Sequence, residues 1–363
     1  MEHQEEHNRQ QHSHHHRKHH HSRHHRLKHA IRRNRKFALF LAVFLPVTAA
    51  VLILSGYYVY REQEKYQVSA GRPVDMGSGY RNITYRGKEY RYNELITTVL
   101  YAGIDSTGPM EVNAGYASAN RADSIAVVVL DKKNKKMTVI PLSRDTMTQV
   151  RRYSMNGRDR GLYTTHLGFA YSYGDGGEVS CENLREAVSL LLGDIPIDEY
   201  AVTNQDSMTY LNHLVGGVTV EVPNEDLAEV DPDFVKGNLV TLDDSNVGTF
   251  LQYRDTAKDL SNEGRMERQQ TYVTAYVEKL KVQLESDLDG TWEEMEKMED
   301  YLQTSITRNK YIGLANLLNA VEFTYEDFYR PAGENVVGEE HDEFYVDSEA
   351  LREKVIEIFY EEI

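Results

Sequence analysis

The chain has 363 residues and a formal net charge of −16, from 41 Lys and Arg against 57 Asp and Glu, with 15 His and one cysteine. A lone cysteine, Cys181, excludes an internal disulfide framework. Residues 1–36 hold ten of the basic and three of the acidic side chains, which leaves 31 basic against 54 acidic to the rest, a net charge of −23. So acidic a surface excludes general affinity for nucleic acid, and an anion must be held by locally gathered cations.

The N-terminal segment, 1–36, also carries twelve of the fifteen histidines. No fixed ligand spacing recurs among them, so it reads as a disordered basic tail lying against anionic lipid headgroups. Residues 37–60 contain no charged side chain, and Arg61 ends the run. That length spans a bilayer as one helix, within which Pro46 and Gly56 are tolerated. A cleaved signal peptide would need a small-residue site where Tyr57, Tyr58 and Tyr60 stand, and those rings read as an interfacial belt. The positive flank keeps the tail cytoplasmic, so residues 61–363 are expected outside the cell. A domain of that size without disulfides suits a bacterial envelope.

Residues 61–80 are polar, hold Gly71, Pro73, Gly77 and Gly79, and read as a stalk. Residues 82–85 and 89–92 flank Arg86-Gly87-Lys88 as a small hairpin, so 61–95 is expected to lead into the main part, 96–363. The apolar run 96–102 predicts a buried strand ending at Gly103. Runs 124–130 and 137–142, joined by the polar turn 131–136, predict an antiparallel hairpin. Further on, the spacing predicts a helix over 179–192, a strand at 200–203, a short helix over 207–215 and a strand at 218–222 closed by Pro223. The longest helical pattern is 264–285, followed by 302–321 and 348–360. Strands alternating with helices, some in a hairpin, predict an α/β fold with a mixed central sheet covered on both faces, one large domain from about residue 81 onward.

Four short stretches concentrate arginine and aspartate: Gly103-Ile104-Asp105, Arg121-Ala122-Asp123, Ser143-Arg144-Asp145, and Arg254 with Arg265, Arg268 and Gln269. Guanidinium forks match phosphate oxygens, and carboxylates hold a bridging divalent cation. Centring the 131–136 turn on Asn134 sets Asp123 roughly opposite Arg144 and Asp145. If the 96–102 strand lies alongside, Asp105 and Arg121 join them at one sheet end, where α/β ligands tend to bind. Each stretch alone reads as a surface salt bridge, worth little. Three at one edge read as a site. Arg265 and Arg268 stand i, i+3 at the start of the 264–285 helix and share a face. Arginines there oppose the helix dipole unless an anion sits at the free N–H groups.

The order Tyr101-Ala102-Gly103-Ile104-Asp105, Arg121-Ala122-Asp123-Ser124-Ile125, Ile140-Pro141-Leu142-Ser143-Arg144-Asp145-Thr146, Leu214-Val215-Gly216-Gly217-Val218, then Arg254 and Arg265-Met266-Glu267-Arg268-Gln269-Gln270, resembles the LytR–CpsA–Psr family across roughly residues 96–363. The resemblance implies a membrane-anchored phosphotransferase of the Gram-positive envelope. Such proteins move teichoic acid, capsular or similar glycopolymer from a polyprenyl-pyrophosphate carrier to peptidoglycan. By that similarity Asp105 and Asp123 hold Mg²⁺ (Mn²⁺ is the alternative), and Arg121, Arg144, Arg254, Arg265, Arg268 and Gln269 grip the pyrophosphate. Asp145 orients the arginines, and Asp105 is the candidate base. Thr107 and Thr256 stand where the family usually has arginine. Two other readings compete: an envelope-linked transcriptional regulator, which the absence of a helix-turn-helix pattern opposes, and a pyrophosphatase acting on the same carrier.

Overall fold

The computed structural model describes residues 79–363, apart from 113–115, 117–119, 256–260 and 339–340. The expected tail, the 37–60 anchor and nearly all of the stalk lie outside the described residues. Among those described, no helix is long and apolar enough to cross a membrane.

β1 (Asn82–Tyr85) and β2 (Lys88–Tyr92) are joined by Arg86 and Gly87, both at positive φ, as a two-residue hairpin loop requires. β3 (Ile96–Ile104), β4 (Ala122–Asp131) and β5 (Lys136–Leu142) follow as an antiparallel run. The turn between β4 and β5 is built by Asp131. One carboxylate oxygen accepts the Lys133 and Asn134 N–H groups, both at 2.9 Å, and the other accepts Asn134 Nδ2 at 2.6 Å. β6 (Met147–Tyr153) and β7 (Asp159–His166) form a separate two-stranded arm.

α1 (Phe169–Ser172) and α2 (Glu178–Leu191) lead into β8 (Glu199–Thr203), parallel to β3. Next come α3 (Ser207–Leu214), the pair β9 (Val218–Glu221) and β10 (Leu239–Leu242), α4 (Val247–Gln252), the long α5 (Ser261–Ser286) and α6 (Leu288–Glu296). β11 (Leu302–Thr304) is antiparallel to β8, and α7 (Arg308–Ala320) follows. The hairpin β12 (Gly333–Val337) and β13 (Asp342–Val346), then α8 (Ser348–Phe359) and β14 (Tyr360–Glu362), complete the described chain.

The central sheet, β11-β8-β3-β4-β5, is mixed as expected. Alternation in β3 assigns its two faces. Ile96, Leu100, Ala102 and Ile104 are buried against Leu184, Val188 and Leu191 of α2 and Leu351, Val355 and Phe359 of α8. Each such side chain is worth about 1.5–3 kcal/mol in burial, so this layer holds the sheet together. The opposite face is covered more loosely. Thr97, Val99, Tyr101 and Gly103 are only partly buried, while Val273 and Val277 of α5 and Leu314, Leu317 and Leu318 of α7 pack over neighbouring β4 and β5.

Two expectations change. The 302–321 segment is not one helix: 302–304 is the edge strand β11, and helix begins at Arg308. Three residues are too few to show a period of two. The 82–92 hairpin, expected only to lead into residues 96–363, belongs to the same core, because β14 adds to β2 and Ile83 and Tyr92 join it.

Candidate functional site

The β4–β5 register pairs Ile125 with Leu142 and, carried two residues further, sets Asp123 opposite Arg144. Arg144 Nη1 donates to Asp123 Oδ1 at 2.5 Å, and its Nε lies 3.6 Å from the Asp145 carboxylate. On the other side of β4, a bulge between Gly103 and Ile104 precedes Asp105. Asp105 Oδ1 accepts the Arg121 N–H at 2.6 Å, and the Asp105 N–H donates to the Arg121 carbonyl at 3.0 Å. Asp105, Arg121, Asp123, Arg144 and Asp145 therefore share one sheet edge. The Arg121 guanidinium sits 4.6 Å over the Phe169 ring, a contact that leaves its N–H donors unspent.

Gly168 makes this edge tight. Its N–H donates to the Arg144 carbonyl at 2.8 Å, and its own carbonyl accepts the Ala122 N–H at 3.1 Å. A Cβ there would stand 2.8 Å from the Ala122 oxygen and 3.2 Å from Arg144 Cβ. Gly168→Ala is expected to cost about 1–3 kcal/mol by overpacking and to displace Arg144. Thermal unfolding checks this, and a wild-type melting temperature would refute it.

The second wall comes from α5. Arg265 is half-buried, and its guanidinium is held below the ordinary arginine value. Burial is the main cause, the Arg254 and Arg144 charges add to it, and Asp123 opposes it. Arg144, Arg254 and Asp123 thus lie within electrostatic reach of Arg265. For Arg144, burial acts against the charge, but Asp123, Asp145 and Asp105 outweigh it and raise the pKa. A multiply charged anion would relieve the crowding felt by Arg265.

Arg268 and Gln269, expected to grip the anion, hydrogen-bond to the chain itself. The helix starts at Ser261, so neither arginine is at its N-terminus. Arg268 is fully buried and turned toward α4. Its Nε donates to the Phe250 carbonyl at 2.9 Å, Nη2 to the Tyr253 carbonyl at 2.5 Å, and Nη1 to Asp226 Oδ2 at 3.0 Å and Asn224 Oδ1 at 3.2 Å. Gln269 Nε2 donates to the Leu251 carbonyl at 3.1 Å. A helix leaves its last carbonyls without partners, and these two side chains supply them for α4. The geometry makes Arg268 a positioning residue: it holds the backbone at Tyr253, next to Arg254. Sequence could not separate this from ligand binding, since i, i+3 spacing says nothing of what faces the stripe.

Two contributors went unforeseen, His166 and the β12–β13 hairpin. The Phe344 N–H donates to the Asp145 carbonyl at 2.8 Å, and His166 Nε2 lies 3.1 Å from the Asp342 carbonyl. Burial raises the Asp145 pKa against the pull of Arg144 and His166, with Asp342 and Asp123 adding to the rise. Burial likewise lowers that of His166. Asp145 is therefore held from behind while Arg144 lies in front.

Among the described residues no group of three or more His, Cys, Asp or Glu is placed to hold a metal ion. The donor set nevertheless fits Mg²⁺, which is bound through one or two carboxylates with phosphate and water completing the shell. Among the described residues, Asp105 commits one carboxylate oxygen to the Arg121 N–H and Asp123 one to Arg144 Nη1, and neither uses its second in a hydrogen bond. Thr107 is exposed and adds no charge, and Thr256 lies outside the described residues.

A mixed sheet that gathers guanidinium groups and part-open carboxylates at one edge defines an anion-binding α/β domain. The chain belongs to the LytR_cpsA_psr family, whose model matches residues 58–351. It is 23% identical over 314 residues to the polyisoprenyl-teichoic acid–peptidoglycan teichoic acid transferase TagU of Halalkalibacterium halodurans, covering 80% of this chain and 90% of that protein. The fold is similar to that of TagV from B. subtilis (TM-score 0.53, 22% identity, 73% of this chain and 97% of that one). It is also similar to TagT bound to LIIa-WTA (TM-score 0.54, 18% identity, 78% and 97%).

Proposed function

We propose that the protein is a membrane-anchored phosphotransferase that moves a glycopolymer from a polyprenyl-pyrophosphate carrier to peptidoglycan. The observation that carries this is the sheet edge itself, where Arg144 pairs with Asp123 beside Asp105 and Arg121 while the charge of Arg265 feels both Arg144 and Asp123. Family membership and the teichoic acid transferase relative support the same reading. The uncharged 37–60 segment supports an anchor with the domain outside the cell.

An acceptor sugar hydroxyl attacks the glycan-bearing phosphorus, a new P–O bond forms, and the anhydride P–O bond breaks. The carrier leaves as its monophosphate. Arg144, Arg254 and Arg265 neutralise the oxygens, with Arg121 positioned over Phe169 beside them. Asp145 keeps Arg144 oriented, and Asp105 takes the hydroxyl proton. Asp105 and Asp123 would hold Mg²⁺, which when bound neutralises pyrophosphate charge. The carrier's apolar tail fits the loosely covered sheet face, where Val99 and Tyr101 are only partly buried and Val128 packs with Val273 and Leu317.

The test uses the full chain in membranes with carrier-linked glycan and peptidoglycan, followed by mass analysis of the products. Glycan joined to peptidoglycan through a phosphodiester, with carrier monophosphate released, is expected. Free glycan phosphate alone would show that water is the acceptor and overturn the transfer reading.

A further inference from the structure

The β6–β7 arm is basic in an acidic protein. Residues 147–166 carry four arginines and one aspartate, whereas residues 37–363 as a whole are at −23. One of the four has a structural task. Arg151 meets Glu186 of α2 through Nη2 at 2.6 Å and Nε at 2.7 Å, and Asp159 through Nη1 at 2.7 Å. That neutralises Arg151 and the arm's only carboxylate, and pins the arm's base to α2. The tip turns at Ser154–Arg158, where Gly157 takes φ 76° and the Ser154 N–H donates to the Arg158 carbonyl at 2.9 Å. Just past it, Arg158 and Arg160 are both exposed, and no carboxylate among the described residues pairs with either. Arg152 lies 4.9 Å over the Tyr163 ring.

The arm grows out of the site itself. Met147 pairs with His166, the Leu167 N–H donates to the Thr146 carbonyl at 2.8 Å, and Gly168 bonds to Arg144. Seven residues of β6 then carry the tip roughly 20 Å from that edge at the usual rise per residue. That reach lies beyond the pyrophosphate and its first sugar. In a chain at −23 outside its N-terminal tail, two unneutralised guanidinium groups at that distance select for repeated negative charge on whatever extends from the site.

We propose that the β6–β7 arm binds the phosphate-bearing main chain of the glycopolymer, with Arg158 and Arg160 as its outer contacts. The proposal rests on the transfer reading above and names the substrate class as a polyanionic glycan. A neutral polysaccharide would gain nothing from the arm.

The full chain in phosphatidylcholine nanodiscs is titrated with poly(glycerol phosphate) and with neutral dextran of matched length. Wild type is expected to bind poly(glycerol phosphate) about tenfold or more tighter than dextran at low salt, with affinity falling steeply as salt rises. Arg158→Gln/Arg160→Gln is expected to weaken that binding by about tenfold and flatten its salt dependence, with an unchanged melting temperature. Transfer from a carrier bearing a single disaccharide should stay at the wild-type rate in the same variant. Wild-type polymer binding by the double variant, equal binding of dextran, or a preference for phosphatidylglycerol vesicles over the polymer would each overturn the proposal. Binding needs no carrier lipid, so its outcome separates from that of transfer. Arginine-dependent binding without any transfer would sustain the arm and defeat the reaction assignment.

Discussion

Arg144→Ala is expected to lower transfer by about 10²–10³-fold, the usual effect of removing one preorganised donor from a developing charge. Fold stability should barely move. Its side chain is 46% exposed and that of Asp123 39%, and a pair so open contributes about 0–1 kcal/mol. The two measurements together are diagnostic. A steady-state assay with carrier-linked glycan should collapse while the thermal melt stays near wild type. Arg144→Lys should recover only part of the rate, because an ammonium cannot meet Asp123 and a phosphate with one planar fork. Transfer by Arg144→Ala at a wild-type rate would remove this edge from the chemistry.

Arg268→Ala should behave in the opposite way. The side chain is fully buried, and its truncation strands Asp226 and the carbonyls of Phe250 and Tyr253. Breaking a buried charge pair costs about 3–5 kcal/mol. Part of Asp226 remains in solvent, so the lower end applies, and for a domain of this size the melting temperature should fall by roughly 10 °C. Activity should fall with it, since Arg254 loses its support. The discriminating readout is phosphate affinity of the fraction still folded at low temperature: a ligand-binding arginine would lose it outright, a positioning one only partly. Wild-type melting in Arg268→Ala would overturn the assignment.

The contrast between these two arginines shows how far residue order carries. Asp123 and Arg144 could be paired from the sequence because a short polar turn between two apolar runs leaves few registers, and Asp131 does pin the turn. Asp105 followed once β3 was laid beside β4. The α5 wall was legible only as a helix with cations on it. Which cation faced the sheet edge and which faced α4 depends on packing of residues more than fifteen positions away, and α4 itself is six residues with little pattern. The β6–β7 arm escaped for a related reason. β6 sets Arg151 beside Arg152 and β7 sets Thr164 beside Thr165, so the strict apolar–polar alternation of a half-buried strand is absent. Gly168 and His166 gave no signal of their own, because their task is set by what approaches them.

The three-stranded sheet β1-β2-β14 has a temporal consequence. Tyr360 pairs with Tyr92 and Glu362 with Tyr90, and the Ile363 N–H donates to the Glu89 carbonyl at 3.0 Å. The first described strands therefore wait for residues made far later in the chain. Until residue 360 has emerged, β2 presents an open edge, and Tyr92 lacks the Phe359 and Tyr360 rings it packs against. Contacts between such distant segments form slowly. A nascent chain shortened by a few residues would keep all of its site arginines and still be unable to close the layer beneath them, so it would present protease with an unfinished domain.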